Sequence, residues 1–167
     1  SEEQPVFVVL QGSSQEVKKC ALLCAELINM LLREDMSQTS REQSLRLMLR
    51  GEVESSEFES LADEHEIPMQ SNRCVLYCYF QDLEAETALQ MMADALDNEE
   101  DLLTEVGRHS IAMLKKIEDE ENFEEIEEYA RAIENTFLTE TGKSVFIGIS
   151  EPHEDLISMP EAFEEAR

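Results

Sequence analysis

A chain of 167 residues, 42% of them hydrophobic, is long enough for one packed core and too apolar for wholesale disorder. Its 39 acidic and 13 basic side chains leave a formal net charge of -26, which repels phosphate backbones and anionic lipid and argues against direct nucleic-acid or membrane binding. No apolar run approaches the roughly 20 residues that cross a bilayer and no basic-then-apolar leader is present, so a cytoplasmic protein is expected.

Pro5-Val-Phe-Val-Val-Leu10, ending at Gly12-Ser13-Ser14, reads as a short strand and turn with no partner strand near it in sequence. Residues 1–14 are expected to be the remnant strand of an upstream sensor domain, with Val6 and Val8 offering an edge to another sheet or another copy of the chain. Ser14 caps a predicted helix that runs to about Arg33. Along it Val17, Cys20 or Ala21, Cys24, Leu27 or Ile28, and Leu31 recur at alternating steps of three and four. That is the seam of a two-stranded coiled coil, or of a helix lying on the body of the same chain. Val6, Val8, Val17, Cys24, Leu27 and Leu31 are therefore the candidate interface residues.

Asp35 to Ser40 breaks the pattern, and a second helix carries Leu45, Leu47, Met48 and Leu49 to a stop at Gly51. A third begins at Ser55 or Ser56, carries Phe58, Leu61 and Ala62, and ends before Pro68. Residues 15–70 thus read as a helical preface.

Cys74-Val-Leu-Tyr-Cys-Tyr-Phe80 is a continuous apolar run, expected of a central strand buried on both faces. A helix over 83–96 follows, then two short strands, 102–106 and 111–117, around Gly107-Arg-His. Residues 123–138 form a longer helix with Ile126, Tyr129, Ala130, Ile133 and Phe137 inward. Gly142 ends it, 144–150 closes the sheet, and Pro160 sits in the first turn of a final helix. The order predicts an α+β fold, a ferredoxin-like split βαβ (βαββαβ) antiparallel sheet with helices on one face, behind the helical preface.

The two Cys-x3-Cys pairs invite a metal reading. Cys74 and Cys78, however, lie four strand residues apart, about 13 Å, too far to chelate one ion. All four thiols are expected to be reduced and in apolar settings. Asp94, Asp97, Asn98, Glu99, Glu100 and Asp101 offer the acids of a calcium loop, but Leu102 falls where an EF-hand needs glycine. His65, His109 and His153 are scattered singly, and no Ser-His-Asp context is recognisable.

Three segments carry a more specific likeness: Leu45-Arg-Leu-Met-Leu-Arg-Gly51, Leu61-Ala-Asp-Glu-His-Glu-Ile-Pro68, and Phe146-Ile-Gly-Ile-Ser150 followed by Met159-Pro-Glu-Ala-Phe-Glu-Glu-Ala-Arg167. Across residues 15–167 the chain resembles the central region of PucR-type bacterial transcription regulators, the purine-catabolism and sugar-diacid activators. The resemblance implies a degenerate GGDEF-like domain over 71–167. In that family it lies between an upstream sensor, often GAF-type, and a C-terminal DNA-binding helix-turn-helix. No helix-turn-helix follows in this sequence, so the natural chain is expected to continue beyond Arg167.

True GGDEF enzymes hold divalent metal against nucleotide phosphates with two carboxylates, one at the exit of the first strand and one in the hairpin. Asp82 stands at the first place, but the turn reads Gly107-Arg108-His109-Ser110, with one glycine and no acid. Half the metal clamp is lacking. No catalytic residue, metal or cofactor is therefore expected. The resemblance implies a regulatory and dimerisation domain that relays a sensor signal as a homodimer or higher homo-oligomer, and that reaches DNA only through the helix-turn-helix. Two alternatives stay open. One is a diverged nucleotide-cyclase-like enzyme using Asp82 and Glu105. The other is a receptor for a nucleotide or small acid at Gly107 to Ser110, where Arg108 and His109 make a small basic turn. The effector is unknown.

Overall fold

The structure, a computed structural model, describes Val9 and residues 15–94, 96, 98, 100–117 and 123–167. Val6, Val8 and Ser14 lie outside the described residues, as does most of the strand expected over 5–10. The chain divides into two compact units, Ser1–Ser40 and Arg41–Arg167.

A single helix, α1, runs over Gln15–Leu49. The break expected over residues 35–40 is absent. Ser37, Thr39 and Ser40 are indifferent helix formers, each costing only a few tenths of a kcal/mol relative to alanine. With neither glycine nor proline among them, an established helix propagates through. Within the first unit Cys20 is exposed and Cys24 half-buried, so the apolar setting expected for all four thiols holds only for Cys74 and Cys78.

In the second unit α1 ends at Leu49, and Gly51 follows with a φ of +64° that suits glycine. Helix α2 (Ser55–Glu64) follows, and then strand β1 (Gln70–Phe80) and helix α3 (Ala85–Asp94). Strands β2 (Leu102–Gly107) and β3 (Ser110–Lys116) make the hairpin. Helix α4 (Phe123–Thr141), strands β4 (Val145–Ile149) and β5 (His153–Asp155), a 3-10 turn (Leu156–Ser158) and helix α5 (Met159–Ala166) complete it. The sheet order is β2-β3-β1-β4, with β5 paired to the start of β1 and every pairing antiparallel. This is the strand order of a ferredoxin-like split βαβ fold.

Strand alternation explains the unbroken apolar run in β1. Cys74, Leu76, Cys78 and Phe80 join Ile111 and Met113 beneath the crossover helices α3 and α4, with Phe80 and Phe137 rings 4.9 Å apart. Val75 points the other way, with Leu102, Val106, Ala112 and Leu114. That second face is covered by Leu45, Met48 and Leu49 at the end of α1, Phe58 and Ala62 of α2, and Met159, Ala162, Phe163 and Ala166 of α5. Each face of the sheet thus has its own core, so β1 has almost no position left for a solvated side chain.

Two features lay beyond the sequence reading. β1 begins at Gln70, because polar residues 70–73 find partners in Asp155, His153 and Lys116. At Gly148 an added Cβ would lie 1.8 Å from the carbonyl oxygen of Ala166, so the end of α5 seats directly on β4. The final helix starts as expected, with Ser158 before it and Pro160 in its first turn.

Candidate functional site

β1 and β3 are antiparallel neighbours with Tyr79 opposite Ser110, so the exit of β1 and the tip of the hairpin meet at one end of the sheet. The tip is bonded to the loop that leads into α3. Phe80 N donates to His109 O at 2.8 Å, and Ala85 N donates to Arg108 O at 2.9 Å. His109 Nδ1 lies 2.9 Å from Leu83 O. Arg108 Nε and Nη2 grip the two oxygens of Glu84 at 3.2 and 3.0 Å.

These bonds decide what the site can do. Glu84 precedes α3, and its carbonyl accepts from Ala88 N, the first bond of the helix. The N–H of Ala85 belongs to the free donors that make a helix start attractive to anions, and here it is given to the hairpin. The Arg108 fork holds the Glu84 carboxyl below its ordinary range, chiefly through the hydrogen bond, and the carboxylate in turn raises the guanidinium. Both side chains are more than half exposed, so the pair fixes geometry more than it adds stability.

Asp82 does not join this cluster. Its carboxylate faces Lys143 Nζ at 3.9 Å, at the start of the segment into β4. Glu105 stands in β2 opposite Ile111, two residues before the register shift that forms the turn at Gly107. The sequence reading placed Asp82 and the turn at one end, which the fold bears out, but it missed Glu84. The signal was present as an acid directly ahead of a helix, and it looked like ordinary dipole compensation.

The remaining candidates are dispersed. Of the interface set, Val17 and Cys24 are half-buried on α1, while Leu27 and Leu31 are exposed with Leu22, Leu23 and Met30. Cys74 and Cys78 are buried in β1, and burial pushes both thiols up to about 12. His65 bonds Ser44 Oγ, and His153 lies beside Glu165. Among the described residues no group of three or more His, Cys, Asp or Glu side chains is arranged to hold a metal, and no helix is long and apolar enough to cross a membrane. A shallow groove of about 340 Å³ lies between α4 and β4, floored by Ala130, Ile147 and Ile149.

The family model of the GGDEF-like domain matches residues 50–167. The chain belongs to the GGDEF-like domain family. No curated protein and no solved structure matches it. The match begins at Arg50, so α2 lies within the GGDEF-like domain together with the sheet. The tip of the hairpin in this domain presents the carbonyls of Arg108 and His109 and the Arg108 guanidinium to the loop before α3.

Proposed function

We propose that this GGDEF-like domain is a regulatory, non-catalytic module that self-associates through α1 and relays a sensor's state to paired DNA-binding heads, as in the PucR-type regulators its sequence resembles. The observation that carries the reading is the composition of one helix. Leu22, Leu23, Leu27, Met30 and Leu31 of α1 are 58–64% exposed, whereas Leu45, Met48 and Leu49 of the same uninterrupted helix are at most 2% exposed in the domain core. Five large apolar side chains left to water on one helix are an association surface. The heptad steps of Cys20, Cys24, Leu27 and Leu31 fit a parallel partner of the same sequence.

Paired half-sites on DNA demand paired heads at set spacing, so the pairing of α1 is the state to be passed on. The hairpin supports the non-catalytic part of the reading. Two-carboxylate metal activation needs free acids, and of those at this end Asp82 faces Lys143 while Glu84 is held by Arg108.

Light scattering of the full chain across a concentration series tests the association. The dimer mass is expected for the wild type, and the monomer mass for Leu27→Glu with Leu31→Glu. A wild-type monomer at high concentration overturns the reading. Calorimetry with GTP and magnesium tests the other half, because magnesium-dependent heat and turnover would make the domain an enzyme.

A further inference from the structure

The far end of the sheet from the hairpin, seven residues back along β1 or roughly 23 Å by strand rise, gathers cations in a chain that has few. Arg73 is 1% exposed. It stands opposite Lys116 on one side and His153 on the other, and residues paired in this way share a face. Val75, two residues on, belongs to the core formed with the end of α1, and Ser71 lies two residues before Arg73, within the register shift between Gln70 and Arg73. Arg41 lies in α1, near enough for its charge to act against that of Arg73, and Thr104 Oγ1 anchors the next residue of α1 by donating to Glu42 O at 2.9 Å.

The guanidinium of Arg73 is only partly used. Nη1 donates to Glu100 O at 2.6 Å, while Nε and Nη2 are buried with no partner. Arg41 Nε and Ser71 Oγ are buried and unpartnered as well. These four are all the buried side-chain nitrogen and oxygen atoms without a partner among the described residues. The acids beside them are committed elsewhere. Asp101 accepts from Lys115 Nζ and Lys116 N, and Glu100 pairs with Lys116 Nζ. Burial of the guanidinium works against its charge more than Asp101 and Glu100 restore it. Buried donors in folded proteins are paired, and where the protein supplies no acceptor an ion or water does so.

We propose that Arg41, Ser71 and Arg73 form a site for one small oxyanion, a carboxylate or a phosphate. Nε and Nη2 of an arginine project two parallel N–H bonds that match the two oxygens of such a group, the edge that Arg108 turns to Glu84 elsewhere in this chain. Ser71 adds a hydroxyl and Arg41 a third N–H. The donors are buried, and Arg73 lies at the opposite end of β1 from the hairpin. An anion here bridges α1 to β1 and relieves the repulsion between two arginines, so its occupancy governs how firmly the core-forming part of α1 is held. The proposal does not rest on dimerisation.

Thermal unfolding of the full chain is measured in sodium phosphate, sodium acetate and sodium chloride at matched ionic strength, with isothermal titration alongside. One of the two oxyanions is expected to raise Tm saturably above chloride, with one site per chain. A response to phosphate alone assigns a phosphoryl ligand, and a response to acetate alone assigns a carboxylate. Arg41→Gln and Ser71→Ala are expected to weaken that binding by about tenfold, the loss of one charge-assisted hydrogen bond. Arg73→Met is expected to abolish it, and the two milder variants decide the matter if Arg73→Met does not fold. Equal Tm in all three salts, which is mere screening of the acidic surface, overturns the site. So does an oxyanion increment that survives unchanged in Arg41→Gln and Ser71→Ala.

Discussion

Substituting Gly148→Ala tests the contact that joins the last helix to the sheet. The new Cβ would lie 1.8 Å from Ala166 O and 2.9 Å from its carbonyl carbon, where ordinary contact starts near 3.4 Å. The end of α5 must therefore retreat by about 1.6 Å, and it cannot rotate away, because the clash is with backbone. That retreat loosens Met159, Ala162, Phe163 and Ala166, all buried against the sheet. Overpacking of this kind costs about 1–3 kcal/mol, and partial exposure of the α5 face brings the total to roughly 2–4 kcal/mol. In a domain of this size the loss corresponds to a fall in Tm of roughly 5–12 °C. Far-UV circular dichroism on heating measures it. Gly142→Ala is the control. That glycine, unlike Gly148, has a positive φ, +68°, but nothing lies within 4 Å of the added methyl, so only the backbone cost of roughly 1–2 kcal/mol applies. A Gly148→Ala protein that melts no lower than Gly142→Ala would refute the seating of α5 on β4.

Mild oxidation is expected to give a disulfide-linked dimer through Cys20 or Cys24 on paired α1 helices, and Cys20→Ser with Cys24→Ser to prevent it; non-reducing electrophoresis reads the result. Under native conditions a thiol reagent should label Cys20 quickly and leave Cys74 and Cys78 untouched until the chain unfolds. Because burial raises those two thiols to about 12, the unfolded chain ionises them first, so folding stability is expected to fall as pH climbs from about 9 toward 12, measured by denaturant titration. Arg108→Ala removes the cation that holds Glu84 down. The Glu84 titration followed by NMR should then move up toward the ordinary carboxylate range, with stability little changed because the pair is exposed.

The elements that the sequence made legible are those whose signal is local. The unbroken run Cys74 to Phe80 could only be a strand covered on both sides, and the order of periods around it gave the split βαβ arrangement. Gly51 and Gly142 marked helix ends because their positive φ penalises other residues. The elements that were not legible depend on partners distant in sequence. Residues 70–73 and 153–155 are polar and become strands by pairing with each other. The run from Glu34 to Ser40 lacks an apolar stripe, yet it is helical because the helix is already nucleated on one side and Leu45, Met48 and Leu49 are buried on the other. At the site, Asp82 was found because an enzyme would need it. Glu84 was missed because its role depends on Arg108, 24 residues away.

The two ends of the sheet differ in what they leave open. At the hairpin, Phe80 N and Ala85 N of the loop donate to carbonyls of the turn, Arg108 is forked onto Glu84, and Asp82 faces a lysine. A surface so closed on itself has little free energy to offer a ligand, since any newcomer must first displace bonds of equal quality. At the opposite end four buried polar atoms among the described residues lack partners, on Arg41 of α1 and on Ser71 and Arg73 of β1. A regulatory equilibrium is biased by differential contacts between states, and unmade bonds at a helix–sheet junction are where an added contact changes the balance most. On the proposed reading, in which the state of α1 is passed on, control is expected to enter through Arg41 and Arg73 at this end of the sheet.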